Sequence, residues 1–217
     1  NGTWPGDPQL FNYIQGLGID PGLTSYNNAT KLEFDFVPLT DNISFDFIFA
    51  SEEYGTFQCA YSDAFAFFLT NNTTGVTTNL AVLPSTTIPI SVVTIRNNLY
   101  NNGCTSVNPQ YFANYYLAPG LSPLGAPIDF NGETVPLTAT SAVIPGTQYH
   151  IKLVIADRND SAFDSAVFLN GGSFNIGNIE LGGDFLVNNG TALCAGDTQV
   201  ISSDLDPDSY TFSWTLN

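Results

Sequence analysis

From residue 32 onward the chain repeats one pattern, a large apolar side chain at every second position. Leu32, Phe34 and Phe36 alternate with Glu33 and Asp35, and Ile43, Phe45, Phe47 and Phe49 alternate with Ser44, Asp46 and Ile48. Successive side chains of an extended chain point to opposite faces, so each run predicts a strand with one buried face. The intervening Pro38-Leu-Thr-Asp-Asn42 has turn chemistry and predicts that the two strands form a hairpin. Phe65, Phe67 and Leu69 continue the pattern as far as the Asn71–Gly75 turn. Further strands are predicted over Leu80–Val82, Ile88–Val92, Tyr149–Ile155 and Ala166–Leu169. The face expected to line the core carries Phe34, Phe36, Phe45, Phe47, Phe49, Phe65, Phe67, Ile151, Leu153 and Phe168.

Residues 97 to 148 are the least regular part, rich in Asn, Tyr and Pro. A structureless connection of that length is uncommon in a packed domain, so short strands or helical turns are expected within it. Only Pro8–Gly18, with Leu10, Phe11, Ile14 and Leu17 on one side, has helical spacing. The fold class that follows is all-β: an antiparallel two-sheet β-sandwich, jelly-roll or lectin-like, over residues 1 to 182.

Composition narrows the function classes. Four Lys and Arg stand against twenty Asp and Glu, for a formal charge of −16. So acidic a surface repels nucleic-acid phosphates and anionic membranes, and neither nucleic acid nor membrane insertion is expected. The same carboxylates suit a hard divalent cation that takes oxygen ligands, which makes calcium the expected cofactor. Met is absent and the chain opens abruptly at Asn1-Gly-Thr-Trp4, so a segment of a longer, processed protein is expected, cut at both ends.

Two segments concentrate acidic residues where predicted strands end, and such loops commonly carry binding sites. One is Ser51-Glu52-Glu53-Tyr54-Gly55, with Asp63 opening the next strand. The other is Asp157-Arg-Asn159-Asp160-Ser-Ala-Phe-Asp164. The candidate metal ligands are therefore Glu52, Glu53, Asp63, Asp157, Asn159, Asp160 and Asp164. The alternative reading is that Asx and Ser side chains cap these loops and solvate a surface. An EF-hand is excluded, because the loop lacks its glycine and closing Glu. Catalysis finds little support. The single His150 lies on the polar side of its strand, and no Ser-His-Asp set assembles without it. Glu52 and Glu53 point to opposite faces as neighbours in an extended chain, so neither partners the other as a glycosidase pair. The chain is therefore expected not to be an enzyme.

The same segments carry a family resemblance. Leu32-Glu-Phe-Asp-Phe-Val-Pro38, Ser44-Phe-Asp-Phe-Ile-Phe-Ala-Ser-Glu-Glu-Tyr-Gly55, Ser62-Asp-Ala-Phe-Ala-Phe-Phe-Leu69, Asn79-Leu-Ala-Val-Leu-Pro84 and Asn159-Asp-Ser-Ala-Phe-Asp-Ser-Ala-Val-Phe-Leu169 resemble, in order, the choice-of-anchor L domain. The ordered resemblance runs over residues 32 to 176, without the segment usually upstream. It implies a non-catalytic domain on the bacterial cell surface, exported by the type IX system and joined to further domains of one long chain. Adhesion or display towards a surface glycan or protein ligand is the function expected of it. Ser62-Asp63-Ala-Phe-Ala-Phe-Phe-Leu69 is also similar to a strand of legume-type lectins, whose Asp helps bind sugar beside calcium. That likeness makes a calcium-dependent lectin the alternative, with Asp63, Tyr54 and Tyr100 as candidate sugar contacts. Residues 183 to 217, through Leu193-Cys-Ala-Gly-Asp197 and Tyr210-Thr-Phe-Ser-Trp214, resemble the first strands of a PKD-like or immunoglobulin-like repeat. In such repeats the early Cys pairs with one near the module's end, which leaves Cys194 without a partner here. The expected disulfide is then Cys59–Cys104, between two polar, turn-rich segments.

Overall fold

A computed structural model describes residues 4–177. The segment expected to begin an immunoglobulin-like repeat, and Cys194 within it, lie outside the described residues. The chain order is α1 (Pro8–Leu17), β1 (Tyr26–Phe36), β2 (Asn42–Ser51), β3 (Ala64–Asn71), β4 (Thr77–Asn79), β5 (Phe112–Tyr115), β6 (Gly132–Thr134), β7 (Leu137–Ala142), β8 (Tyr149–Arg158) and β9 (Ser165–Leu169). Two antiparallel sheets result. One has the order β1-β8-β3-β4. The other is centred on β2, which has β7 and β6 along one edge, β5 beyond β6, and β9 along the opposite edge.

The two sheets meet through the alternating aromatics. Phe45 and Phe47 of β2 lie 5.0 and 4.9 Å, centroid to centroid, from Phe67 of β3, and Phe49 stacks on Phe65 at 5.0 Å. Offset and edge-on ring pairs of this kind add to the burial of their large apolar surfaces. Ile43, Tyr54, Leu83, Ile90, Val92, Tyr115 and Ile151 complete one continuous core. The first sheet is buried on its outer face as well. There α1 sets Leu10 and Ile14 against Ala64, Ala66, Phe68, Val154 and Ala156, and the three alanines leave room for the helix. This explains why Ala64–Leu69 reads as an almost unbroken apolar run, since a strand covered on both faces has no solvent side to mark. Asp7 caps α1 by accepting from the Leu10 backbone N–H at 3.0 Å, and its other oxygen accepts from Lys152 Nζ at 2.6 Å, which ties the helix to β8. Gly18, at φ 63°, ends the helix in the left-handed conformation that suits glycine.

Three expectations are corrected. The 37–41 connection is not a hairpin turn, because β1 pairs with β8 and β2 pairs with β6, β7 and β9, so this turn carries the chain from one sheet to the other. Phe168 is 40% exposed and points outward, packing edge-on to Phe130, whereas Val167 faces the core. Antiparallel register explains it, for Phe168 sits opposite Ile48, the outward residue of β2. Leu80–Val82 and Ile88–Val92 form isolated bridges rather than strands. Leu80, Ala81, Ile90 and Val92 are buried nonetheless, and Pro84 and Pro89, which lack an N–H, interrupt any ladder there. The remaining expected core residues lie in or against the core, and 97 to 148 does hold short strands and helical turns.

Cys59 and Cys104 are bonded, with their Cα atoms 5.5 Å apart. The bond fastens the 52–61 turn to the 97–108 segment, a junction also held by Gln58 Nε2 donating to Asn97 O at 2.9 Å and by Asn101 Nδ2 donating to Gly55 O at 2.8 Å. A cross-link 45 residues apart removes entropy from the unfolded chain worth roughly 4 kcal/mol on the chain-entropy model. The Cys59→Ala, Cys104→Ala double variant is accordingly expected to lose about that much in urea unfolding at equilibrium. A loss below about 1 kcal/mol would mean that the surrounding hydrogen bonds already hold the turn.

Candidate functional site

Antiparallel pairing gathers the acidic segments at one end of the sandwich. β2 and β8 end there, and β1, β3 and β9 begin there, with Ser51 opposite Ser165, Ala64 opposite Ala156 and Tyr26 opposite Arg158. The Glu52–Glu53 turn and the 159–164 loop, a hundred residues apart in sequence, are joined directly. Glu52 N donates to Asp164 O at 3.0 Å, and Asp164 N donates to Glu52 Oε2 at 3.0 Å. Deeper in, Glu53 Oε2 accepts from Asp63 N at 2.6 Å, and Asp63 Oδ1 accepts from Arg158 N at 2.9 Å. Gly55 lets the turn close. Its φ is +81°, and a Cβ there would come within 2.0 Å of Tyr115 Oη.

Glu53 and Asp63 are 3% and 1% exposed, a depth at which an ionised carboxylate needs a counter-charge. Burial, aided by the charge of Asp160, pushes the Glu53 carboxyl up to about 7 despite the hydrogen bond from Asp63 N. Asp63 is raised well above the usual carboxylate range by burial and by Glu53. Asp157 is raised to about 6, again mainly by burial, with Asp164 and Asp160 adding to it. The chain has four Lys and Arg residues in all, and each is engaged. Lys31 pairs with Glu33, Lys152 with Asp7, and Arg96 donates to two backbone carbonyls. Arg158 alone stands near the buried pair. Its guanidinium is bound by both oxygens of Asp20 and lies 5.9 Å from the Tyr61 ring centre.

Among the described residues, four buried side-chain atoms have no formed hydrogen bond: Tyr26 Oη, Tyr54 Oη, Asp63 Oδ2 and Ser165 Oγ. Each of the three hydroxyls lies within electrostatic reach of Glu53 or Asp63. Tyr26 is held protonated by burial and by Asp20 and Asp63, Tyr54 by burial and by Glu53, and the Ser165 hydroxyl is near enough to Asp63 to ease its shift. Buried polar groups without partners are uncommon in native proteins. The donors are all oxygen, which fits a hard cation and not zinc. Among the described residues, however, no three acidic, His or Cys side chains converge on one point. Hydroxyl, carbonyl or water oxygens would have to complete any shell.

The candidate ligands do not all face this centre. Asn159 is turned away, and its Oδ1 accepts from Thr24 N, Thr24 Oγ1 and Ser25 N while its Nδ2 donates to Gly22 O at 2.8 Å, so it pins the 22–25 loop. Asp160 is exposed and accepts from Ala162 N at 2.9 Å, as a loop-capping Asp does. One of the proposed sugar contacts is corrected. Tyr54 is fully buried against Phe49 and Phe112 and has no face left for a ligand, whereas Tyr100 is half-buried and packs on Phe112 and Tyr115.

Several residues of this end carried no signal in the sequence. Tyr26 is brought in by strand register, opposite Arg158, and Asp20 by its ion pair with Arg158. A cleft of about 320 Å³ beside the carboxylates is lined by Trp4, Asn28, Phe130, Asp157, Asp164 and Ser165, and the first three fell outside every motif. The exposed Trp followed by loop residues was the one available hint. No helix among the described residues is long and apolar enough to cross a membrane. Residues 1–175 match the family model of the Choice-of-anchor L domain. No curated protein and no solved structure matches.

Proposed function

Because this chain belongs to the Choice-of-anchor L domain family, a non-catalytic, cell-surface-associated group, we propose that it is a calcium-stabilised adhesin or display domain on the outside of a bacterial cell. The observation that carries the calcium is the Glu53–Asp63 pair, which is buried, short of cationic partners and leaves Asp63 Oδ2 without a formed hydrogen bond. A divalent cation relieves all of these at once: it neutralises the carboxylates and takes up the oxygen that the protein leaves unpaired. By bridging the 52–63 turn to the 157–165 segment it would hold one end of the sandwich rigid, as suits a module that bears load or presents a surface outside the cell. Export by the type IX route and further domains in the same chain belong to this reading.

Calcium titrated calorimetrically into the domain at pH 8 is expected to bind with release of protons, since burial raises both Glu53 and Asp63, and Asp63→Asn is expected to weaken binding at least tenfold. Magnesium should bind more weakly, since it demands a smaller and more regular shell. Equal calcium affinity in wild type and Asp63→Asn would remove Asp63 from the site and the reading with it. The second reading, a calcium-dependent carbohydrate-binding module, is favoured by the Trp4 cleft beside the carboxylates.

A further inference from the structure

We propose that the cleft between Trp4 and Asp164 is a saccharide subsite, in which a pyranose ring lies against the Trp4 indole while its hydroxyls bond to Asp157 and Asp164. This rests on the carbohydrate-binding reading and gives it a location and a ligand class. Trp4 is 51% exposed, yet it is held at every polar atom. Its N–H donates to Asn28 Oδ1 at 2.9 Å, its carbonyl accepts from Asn28 N at 2.8 Å, and its indole Nε1 donates to Ala29 O at 3.0 Å. The ring is therefore fixed edge-on to β1 with its polar atom already satisfied, and what it offers outward is apolar face. Such an exposed, preoriented aromatic loses little entropy when it stacks on a ligand.

The polar side of the cleft is as definite. Asn28, at φ 54°, is held in the left-handed region, and its Nδ2 donates to Asp157 Oδ2 at 3.0 Å, which orients that carboxyl towards the cleft wall. Asp164 is exposed with its backbone N–H anchored by Glu52. Ser165 also lines the cleft. Carboxylates accept, so the lining matches a polyol, whose hydroxyls donate. A net charge of −16 disfavours uronic, sialic or phosphorylated sugars and leaves neutral ones. The volume, about 320 Å³, is at the lower end of the ~300–1,000 Å³ of small-ligand sites and suits one or two rings. Phe130 also lines the cleft and gives a second apolar surface.

The test is saturation-transfer NMR followed by calorimetry with neutral hexoses, N-acetylhexosamines and their short β-linked oligomers, in millimolar calcium. At least one of these is expected to bind. Trp4→Ala should weaken that sugar tenfold or more, Trp4→Phe should retain most of the affinity, and Asp164→Asn should lower it several-fold, each variant keeping the wild-type circular dichroism spectrum and a cooperative melt. A sugar that binds Trp4→Ala as tightly as wild type would overturn the subsite and leave carbohydrate recognition standing. No binding by any of these sugars, or binding only of a lysine-containing peptide through the carboxylates and the indole, would overturn both.

Discussion

The Phe47→Asp protein is expected not to fold. Phe47 is 2% exposed at the centre of β2, and its ring meets Phe45, Phe65 and Phe67. Removing a buried Phe side chain costs about 3–5 kcal/mol before any charge is considered. A carboxylate in its place, with no cation within the aromatic core, adds several kcal/mol more. Together these rival the whole stability of a domain, about 5–15 kcal/mol. Phe168→Asp is the control, since Phe168 is an aromatic of β9 that the register turns outward. It should express, give the wild-type circular dichroism spectrum and melt within a few degrees of wild type. A Phe47→Asp protein that melts cooperatively near the wild-type temperature would show the strand faces to be reversed.

The contrast between those two phenylalanines shows what the chain discloses before it folds. Alternation in Ile43–Phe49 and Phe65–Leu69 marked the buried faces correctly, because the two-residue period is a property of each strand alone. Which strand lies beside which is not. Pro38–Asn42 has the composition of a hairpin turn, yet the same residues serve a crossing between sheets, and only the pairing of Phe36 with Tyr149 and of Phe45 with Ala139, in different sheets, decides it. β9 is short and its two faces are nearly equally apolar, so its register was open until β2 fixed it. The carboxylates were legible as two strand-end clusters, and antiparallel pairing brought them together. Their partners were not, since Tyr26, Asp20 and Trp4 arrive from segments whose local sequence says nothing of the site. Asn159 was drawn in by composition, whereas its amide is spent on the 22–25 loop.

Without calcium, the domain is expected to lose stability as the pH rises from about 5 to 8, opposite to the usual acid sensitivity of a carboxylate-rich protein. Glu53 carries the argument. Below its ordinary value of 4.5 the carboxyl is protonated in the folded and unfolded chain alike, and burial costs nothing. Between there and about 7 the unfolded chain releases the proton while the folded one keeps it, so each step up in pH favours unfolding. Above about 7 the folded state holds a buried charge, at a cost of roughly 3 kcal/mol. Asp63 and Asp157 act in the same direction, both raised by burial. Asp7 acts in the opposite sense. Burial would raise it, but Lys152 and the Leu10 N–H hold it below 3.8, so its contribution is lost only in stronger acid, outside the window that matters. Calcium binds the deprotonated pair, so it should restore at pH 8 what ionisation removes and add little at pH 5.5.

Thermal melts of the wild-type domain at pH 8, in EDTA and in calcium at about a hundred times its dissociation constant, put the account to its most direct test. Saturation of that degree contributes about 2.7 kcal/mol, which for a chain of this size is a rise of roughly 5–10 °C. That rise is expected at pH 8, a smaller one at pH 5.5, and a higher melting temperature in EDTA at pH 5.5 than at pH 8. Equal melting temperatures in EDTA and calcium at pH 8 would contradict it, and would leave Glu53 and Asp63 as a buried pair kept neutral by protons alone.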